Sequence, residues 1–474
     1  MGSKKTINIA IVIILFAATI LRLISLNQSL WLDEATSAVL ARDFSYQQII
    51  NDFMPGDFHP PLYYLLLKVW GTVSGYSEVG LRIFSVFSGV VSIYLVYLLT
   101  KKITKNNNVS LLVSSLLATS GLHIYYSQEA RMYVLQTLFV ILSFLFFTYI
   151  VDGKKKNNEN VFWVGFSISI LFIGMTDYLP LLVLPVFWMY AVYKRKSRDW
   201  WYKFVIAHIP LLIFFVLWYP TFLHQVGIGR RVQDAAPVWW SVLGRTDLKN
   251  TLLIPVKFVL GRIGFTDKYL YTGVVIVSLS LYLIAIMRSL KNFKKELLIW
   301  LWLFVPLILA FILGLFLSVF SYFRLIFVLP ALYIIVASGI SIFRKKRARI
   351  IYASILLILN LVFTGYYLFN SQFHREDWRS LVGYIETQEK RDEAIVLFVA
   401  PSQMEVYNYY APNAKIAGPG GFNDTYEKIY LMRYVQPIFD SDDKLRTIIE
   451  ENDYIKGKEL DFNQVVVWEY NKKL

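Results

Sequence analysis

Residues 109–156, VSLLVSSLLATSGLHIYYSQEARMYVLQTLFVILSFLFFTYIVDGKKK, combine two apolar runs with a short polar turn and a basic end. The runs, 109–126 and 132–151, are each long enough for a helix to cross the ~30 Å hydrocarbon core of a bilayer. The turn between them carries Glu129 and Arg131, and lysines follow the second run. Apolar runs of this length with polar or basic flanks predict membrane-spanning helices.

The same pattern recurs along the whole chain of 474 residues. Hydrophobic residues make up 56% of the sequence and charged residues 17%, below the roughly 25% charged residues of ordinary soluble proteins. The chain has no cysteine, which excludes disulfides, thiolate nucleophiles and Cys-ligated zinc. The sequence therefore predicts a polytopic α-helical membrane protein with about eleven transmembrane helices, at 7–25, 80–100, 109–126, 132–151, 161–176, 178–193, 204–219, 271–287, 297–317, 323–342 and 350–369.

The basic residues indicate how the chain is oriented. It has 48 Lys and Arg against 33 Asp and Glu, a formal net charge of +15. If the N-terminus is cytoplasmic, the inward segments are rich in Lys and Arg and poor in acids, as the positive-inside rule requires. The charge is thus a topology signal, and no nucleic-acid partner is expected. We expect a multi-pass protein of the cell (inner or plasma) membrane, in contact with membrane lipids and with an extracytoplasmic C-terminal domain.

Three predicted outward regions are long enough to carry a site: 26–79, 219–270 and 370–474. The last mixes short apolar runs with turn residues and charged helix-like stretches, which predicts a small α/β domain. The expected division is a transmembrane domain at 1–370 and a soluble domain at 371–474.

Two further segments affect the span count. The apolar stretch 60–76 opens with two prolines and carries Lys68, so we predict a helix at the outer interface. Counting it as a span would place every later basic loop on the same side as the acidic loop before it. The first span has no small-residue cleavage site after it, so it is not expected to be a removable signal peptide.

The first outward loop holds the leading candidate acids. In LWLDEATS (30–37), Asp33 and Glu34 lie where a helix is expected to begin, and a helix N-terminus stabilises a carboxylate. The alternative role for Asp33 is that of a helix cap. Ionisable groups directly after a span are costly to place there, which makes both acids functional candidates.

Asp57 and His59 form a second candidate cluster in the same loop. His59 suits a metal ligand, a general acid or base, or a substrate-binding group, and the alternative is a turn histidine before two prolines. The chain has only five histidines, which argues against a His-rich metal site. Asp57 and His59 with a distant third ligand leave a divalent metal ion open as cofactor, and no other cofactor is expected.

The turn between the two quoted runs gives a third cluster, Tyr126, Glu129 and Arg131, on the same predicted side as Asp33. The simpler alternative is a surface ion pair between Glu129 and Arg131. Asp177 lies in the next outward turn and is expected to join the same cleft wall.

Basic residues on the outward side are candidates for binding phosphate, because guanidinium groups form paired hydrogen bonds with phosphate oxygens. The alternative is pairing with lipid headgroups. The candidates are Arg230, Arg231, Lys257, Arg262 and Arg324.

Several of these stretches together resemble a known family, the polyprenyl-phosphate-dependent GT-C glycosyltransferases. More narrowly, the chain resembles the bacterial members related to protein O-mannosyltransferases and to the lipid A aminoarabinose transferase. The resemblance covers roughly residues 1–380 and is strongest in about the first 135. It rests on LWLDEATSA (30–38), HPPLYYLLLKVW (59–70), Ser77-Glu78 with Leu81-Arg82, YYSQEARMYVL (125–135), WYPTFL (218–223), Phe323-Arg324-Leu325 to Pro330, and EDWR (376–379).

This resemblance implies a GT-C fold with interfacial helices in the first outer loop, and a catalytic domain formed by the transmembrane part. It implies inverting transfer of a hexose or pentose from a polyprenyl-phosphate donor to an acceptor hydroxyl, on a glycan, a lipid or a protein. Asp33 matches the catalytic carboxylate of the first outer loop, with Glu34 beside it, and Glu129 matches the second acidic position. The remaining candidates would bind substrate: His59, Tyr126, Arg131, Asp177, Arg230, Arg231, Lys257, Arg262 and Arg324.

Two departures and two alternatives complete the prediction. The aminoarabinose-transferase branch has an acid directly before its Lys-Pro-Pro, whereas here Phe58 precedes His59 and the acid is Asp57. Gln128 stands before Glu129 where the family pattern has another acid. The alternatives are a transporter or flippase of lipid-linked saccharide, and a polymerase or ligase that uses a diphosphate-linked glycan.

Overall fold

The computed structural model describes residues 4–153, 159–235, 244–388, 393–422 and 424–473. Part of the predicted 219–270 loop, at 236–243, lies outside the described residues. The described part is mostly helical and ends in a small mixed sheet, as predicted.

The helices of the N-terminal part account for nearly all predicted spans. They are α1 (Lys4–Leu23), α2 (Leu32–Asp43), α3 (Leu62–Ser74), α4 (Glu78–Thr104), α5 (Asn107–Ala118), α6 (Gly121–Ser127), α7 (Tyr133–Asp152), α8 (Glu159–Thr176), α9 (Leu184–Tyr193), α10 (Arg198–Ala235), α11 (Leu248–Leu260), α12 (Lys268–Ser289), α13 (Leu297–Leu313), α14 (Leu329–Ser341) and α15 (Lys346–Phe369).

By length and composition, seven helices of the described residues can cross a membrane, or eight if the bent pair α5 and α6 forms one span. Three shorter apolar helical segments, Leu179–Tyr193, Leu297–Leu313 and Ile326–Ser341, occupy further predicted spans. The chain is thus a multi-pass membrane protein, and the count of eleven stays a prediction.

The predicted span at 109–126 is broken in the structure. Helices α5 and α6 meet at a bend of 60°. Ser120 caps the second helix by accepting a hydrogen bond from the His123 amide at 3.4 Å. The buried guanidinium of Arg22 donates to the carbonyls of Ala118 and Leu117 at 3.1 and 3.4 Å, so the open end of α5 is satisfied without water.

Helix α10 is much longer than the predicted span at 204–219. It runs from Arg198 to Ala235 through Pro210 and Pro220. The predicted outer loop therefore begins as a helical extension. Near its far end, Gln225 donates to the Met54 carbonyl at 2.7 Å and to the His59 carbonyl at 3.3 Å, which attaches this helix to the first loop.

The helices pack largely through aromatic side chains. Phe144 of α7 stacks on Trp302 of α13 with ring centroids 4.0 Å apart. Phe147, one turn on, lies 4.7 Å from Phe187 of α9. Such contacts suit a lipid environment, where packing rather than water exclusion holds helices together.

The C-terminal domain is a five-stranded sheet with helices α16 (Trp378–Gln388), α17 (Met404–Tyr410) and α18 (Lys444–Glu451). Strand β1 pairs in parallel with β2 and β3, and β5 pairs antiparallel with β3 and β4. The strands are β1 (Ala394–Leu397), β2 (Ile416–Ala417), β3 (Lys428–Met432), β4 (Tyr454–Phe462) and β5 (Val465–Lys472), in the spatial order β2-β1-β3-β5-β4. This is the mixed α/β domain that the composition predicts.

This domain lies directly on the first loop. The Tyr410 hydroxyl accepts a hydrogen bond from the Leu30 amide at 2.8 Å and lies 3.1 Å from a Glu78 carboxylate oxygen. Thr36 of α2 hydrogen-bonds Glu405 of α17. The first loop is therefore enclosed between the helical bundle and the sheet domain.

Gly339 allows α14 and α12 to approach each other closely. A Cβ at this position would lie 1.8 Å from the Ala285 carbonyl oxygen. We expect Gly339→Ala to lower the thermal unfolding midpoint of the detergent-solubilised protein, with about 1–3 kcal/mol lost to overpacking. Gly273→Ala in α12 is the matched control, because an added Cβ there meets nothing within 4 Å. Equal midpoints for the two variants would contradict the close contact.

Candidate active site

Asp33 and Glu34 lie in the first turn of α2 but differ completely in exposure. Successive helix positions point about 100° apart. The side chain of Asp33 is 40% exposed, whereas that of Glu34 is fully buried. Of the two predicted catalytic acids, Asp33 is therefore accessible to a substrate and Glu34 is not.

Both carboxylate oxygens of Glu34 are engaged. Arg82 donates to them at 2.8 and 2.5 Å, and the Ala130 amide donates at 2.7 Å. The Arg375 Nε lies 3.2 Å from the same carboxylate. Burial alone would raise the pKa of Glu34, but Arg82 and Arg375 hold it below its usual range. The charged carboxylate thus joins α2 to α4, to the 128–132 turn and to the C-terminal domain.

Arg82 also orders the chain ahead of α2. Its Nη1 donates to the carbonyls of Leu26 and Gln28 at 2.8 and 2.5 Å, and its Nη2 donates to that of Ser29 at 2.8 Å. One buried guanidinium thereby satisfies three loop carbonyls in addition to Glu34. This arrangement fixes where α2 begins and, with it, the position of Asp33.

Glu34, rather than Asp33, makes the backbone cap. Its Oε2 accepts from the amide of Trp31, the N-cap residue, at 3.5 Å. The carboxylate of Asp33 instead lies 3.5 Å from Arg131 Nη2.

A chain of polar contacts leads from Asp33 across the first loop. Arg131 Nη1 lies 3.2 Å from the Tyr64 hydroxyl, which donates to Asp57 at 2.9 Å. His59 Nδ1 lies 3.4 Å from the same Asp57 oxygen. Burial opposes ionisation of Asp57, but His59 and Arg131 hold its pKa below the usual range. The structure thus brings residues of all three predicted clusters into one network.

The proposed metal ligands Asp57 and His59 pair with each other. Among the described residues, no three His, Asp or Glu side chains converge as a ligand set. The pair alone offers fewer side chains than the three protein ligands usual in a catalytic zinc site. These residues therefore do not fit a complete metal site.

Glu129 is buried at the base of this network. Its Oε2 lies 3.5 Å from Arg375 Nη2, and within the described residues its Oε1 has no hydrogen-bond partner. Burial raises the pKa of Glu129 to about 7, with Arg375 opposing the shift. It does not form the surface pair with Arg131 that the sequence left open, because Arg131 turns to Asp33 instead.

The candidate cations divide into two groups. Arg324 lies next to Phe323, whose ring contacts Tyr133 and Tyr126 at centroid distances of 5.4 and 6.3 Å. Both Arg324 and Arg131 lie within electrostatic reach of the Tyr133 hydroxyl. Arg324 is therefore on the same side of the site as Asp33 and Arg131.

Arg262 and Lys257 form the second group. Arg262 donates to the Tyr125 hydroxyl at 2.7 Å, and its guanidinium lies 4.4 Å from the centre of that ring. The guanidinium of Arg375 contacts the same ring at 4.6 Å. Lys257 donates to the Ile263 carbonyl at 3.2 Å, and burial lowers the pKa of its ammonium to about 8.

Three other candidates lie outside this network of contacts. Arg230 and Arg231 are exposed near the end of α10, where the neighbouring Gly229 faces Phe58. Asp177 accepts a hydrogen bond from the Leu179 amide at 3.2 Å and caps the turn that follows.

The sequence alone did not single out several residues of this network. Arg82 lies inside one of the quoted motifs, and only the structure shows that it binds Glu34. Tyr64 lies inside another, but nothing in the local pattern marks its hydroxyl as a bridge. Arg375 precedes the EDWR stretch and carries no local signal, since its partners are hundreds of residues away in the chain.

One segment of the chain is similar in sequence to a known family. A sequence model of the dolichyl-phosphate-mannose-protein mannosyltransferase family matches residues 58–224. An uncharacterised protein of Aquifex aeolicus (strain VF5) is 26% identical over 212 residues, which make up 43% of this chain and 40% of that protein. The chain thus covers less than half of this relative's length.

Two solved structures share the fold over nearly the whole chain. ArnT from Cupriavidus metallidurans bound to undecaprenyl phosphate superposes with a TM-score of 0.60 at 10% identity, covering 98% of both chains. The Archaeoglobus fulgidus oligosaccharyltransferase in the apo form gives a TM-score of 0.56 at 11% identity, over 92% of this chain and 70% of that one. The chain therefore shares the fold of these two structures, and residues 58–224 are similar in sequence to the mannosyltransferase family.

Proposed function

We propose that the protein is an inverting glycosyltransferase that uses a polyprenyl-phosphate-linked sugar and works on the extracytoplasmic side of the membrane. The observation that carries this is the partly exposed Asp33 carboxylate, held beside Arg131 on a helix whose next residue is locked in place. Two similar structures, ArnT bound to undecaprenyl phosphate and an Archaeoglobus fulgidus oligosaccharyltransferase in complex with a dolichol-phosphate, support a lipid-phosphate donor.

In this proposal Asp33 is the general base. The acceptor hydroxyl gives its proton to the Asp33 carboxylate while its oxygen forms a bond to the anomeric carbon. The bond between that carbon and the phosphate oxygen breaks on the opposite face, and its electron pair stays with the lipid phosphate. The configuration at the anomeric carbon is thereby inverted, and the products are a glycoside and a polyprenyl phosphate.

The leaving phosphate gains negative charge, and fixed cations stabilise it. Arg131 and Arg324 are the first candidates, because both lie near Tyr133 on the side of Asp33. Arg262 and Lys257 add positive charge further along the same side through Tyr125 and the 261–263 turn. Glu34 is a positioning residue here, since its buried oxygens already have partners.

The flippase alternative receives less support from the geometry. A transport path would need accessible polar groups within the spans. Arg22 and Arg82, charged residues near span ends, are both fully buried and hydrogen-bonded to backbone carbonyls. Neither is placed to line a path for a saccharide.

Asp33→Asn tests the assigned base. We expect it to lower transfer from a polyprenyl-phosphate sugar by roughly 10²–10⁴-fold, because the amide cannot accept the proton. Asp43→Asn, on the same helix but exposed and paired with Arg42, is the matched control and should keep its activity. The measurement is transfer of radiolabelled sugar by protein reconstituted in vesicles. An Asp33→Asn variant as active as the control would disprove the mechanism.

Arg324→Ala tests the phosphate contact. Loss of a charge-assisted hydrogen bond of about 1.5–3 kcal/mol should lower kcat/KM for the donor roughly 10- to 100-fold. Lys249→Ala, an exposed cation of the 219–270 region, should leave kcat/KM within about threefold. Equal changes in kcat/KM for the donor in the two variants would show that Arg324 does not contact the phosphate.

Glu129→Gln tests the buried acid through the pH dependence of stability. The folded-state pKa of about 7 exceeds the ordinary value of 4.5, so between these values the folded state holds a proton that the unfolded state releases. The free energy of unfolding should therefore fall as pH rises from 4.5 to 7, by up to about 1.4 kcal/mol per pH unit. Above pH 7 it should no longer change with this group. In Glu129→Gln the thermal unfolding midpoint should lack this pH dependence between pH 5 and 8. The control Glu451→Gln, at an exposed position, should keep the pH dependence of the wild type. If Glu129→Gln kept the pH dependence of the wild type, a group other than Glu129 would be responsible for it.

A further inference from the structure

Arg375 lies in the short connection between the last helix of the bundle, α15, and the first helix of the C-terminal domain, α16. Its backbone is held from both sides. The amide donates to the Gln28 side chain at 3.0 Å, and the carbonyl accepts from Asn463, in the β4–β5 turn, at 2.8 Å. The position of Arg375 therefore depends on how the sheet domain sits on the first loop.

The side chain of Arg375 lies between two carboxylates that come from different parts of the chain. Its Nε is 3.2 Å from Glu34, and its Nη2 is 3.5 Å from Glu129. The same Nη2 donates to the Tyr125 carbonyl at 3.3 Å, and the guanidinium packs on the Tyr125 ring. With 1% of the side chain exposed, these contacts are shielded from solvent.

The two carboxylates occupy sequence positions that define the site. Glu34 directly follows Asp33, and Glu129 is two residues before Arg131, which contacts Asp33. Whatever holds Glu34 and Glu129 together therefore sets the distance between Asp33 and Arg131. The amide of Ala130 also donates to Glu34 at 2.7 Å, which links the 128–132 turn directly to α2.

Electrostatics makes Arg375 the component of this link that is hardest to replace. Two buried carboxylates repel each other unless a cation lies between them. Glu34 also has Arg82, but of the ion pairs among the described residues only the one with Arg375 involves Glu129. Without Arg375, Glu129 is left buried and unpaired, which favours its protonation or a movement of the 128–132 turn.

Other contacts of the C-terminal domain with the first loop do not reach these carboxylates. Arg379 donates to the Asn27 carbonyl at 3.1 Å and to Glu78 at 3.2 Å, and its side chain is 43% exposed. Tyr409 donates to the Tyr76 carbonyl at 2.8 Å. They hold the domain in place without touching Glu34 or Glu129.

We propose that Arg375 is a positioning residue through which the C-terminal domain holds Asp33 and Arg131 in register for the transfer reaction. The sheet domain is then part of the active enzyme even where its side chains do not touch the reacting atoms. This inference rests on the proposed glycosyl transfer, with Asp33 as the base.

The test compares Arg375→Gln and Arg375→Lys with Arg379→Gln in the full-length, reconstituted protein. Arg375→Gln should lower kcat roughly 10- to 100-fold, because a shift of about 1 Å in a reacting group can cost 10²-fold, while KM for the donor changes less than about threefold. Arg375→Lys keeps the positive charge but lacks the planar guanidinium that contacts both carboxylates. Its kcat should lie between those of Arg375→Gln and Arg379→Gln. Arg379→Gln should stay within about threefold of wild type.

A second measurement does not depend on activity. Amide hydrogen exchange at 33–37 and 129–131 should be faster in Arg375→Gln than in wild type and unchanged in Arg379→Gln. Wild-type kcat together with wild-type exchange in Arg375→Gln would overturn the proposal. Equal losses in Arg375→Gln and Arg379→Gln would also overturn it, by indicating general loss of domain docking.

Two further outcomes remain decisive. If Arg375→Gln does not fold, as judged by gel filtration, Arg375→Lys answers the question: intermediate kcat with faster exchange supports the proposal, and unchanged values refute it. If the wild-type protein transfers no sugar, the proposed function fails, and the exchange comparison still decides whether Arg375 holds the two carboxylates together.

Discussion

The ion pair between Glu34 and Arg82 is the interaction on which the rest of the site depends. Both side chains are fully buried, and removing one partner of such a pair typically costs about 3–5 kcal/mol. A hydrophobic pair would fill the same space, but it would not bind the carbonyls of Leu26, Gln28 and Ser29 or the amide of Ala130. The charges therefore specify one arrangement of the first loop rather than only stabilising it.

This constraint explains why two adjacent acids lie in opposite environments. The helix turns Glu34 inward to Arg82 and leaves Asp33 outward beside Arg131. An exposed carboxylate is a poor anchor, and a buried one with occupied oxygens is a poor base. In the proposed mechanism the position of Asp33 thus follows from the immobility of its neighbour, and Arg375 holds the turn that carries Glu129 and Arg131 in the same way.

The sequence predicted the features that depend on composition and local pattern. Apolar length gave the long helices, and the onset of α2 at LDE followed from the position of its acids. The break at Ser120 was missed because α5 and α6 form one continuous apolar run, and the bend depends on Arg22 from another helix. The length of α10 was missed because Pro220 and the polar residues after it resemble a loop.

The site itself was predictable only in part, for the same physical reason. Asp33, Asp57, His59, Glu129 and Arg131 lie in marked motifs, so their side chains were candidates before their contacts were known. The pairing of Glu34 with Arg82 and Arg375 joins positions 48 and 341 residues apart, and a local pattern contains no information about such distant partners. Residue type alone was misleading at three other positions. Arg230 and Arg231 are exposed, and Asp177 binds a nearby backbone amide.

The length of α10 has one more consequence, for the support of the first loop. Thirty-eight residues of α-helix extend about 57 Å, nearly twice the ~30 Å hydrocarbon thickness of a bilayer. A helix this long exceeds the hydrocarbon thickness, and its Gln225 side chain is hydrogen-bonded to the backbone of the 54–59 segment. The helix that exceeds the bilayer thickness therefore supports the backbone of the segment that carries Asp57 and His59, and these two side chains contact each other within the protein rather than lipid.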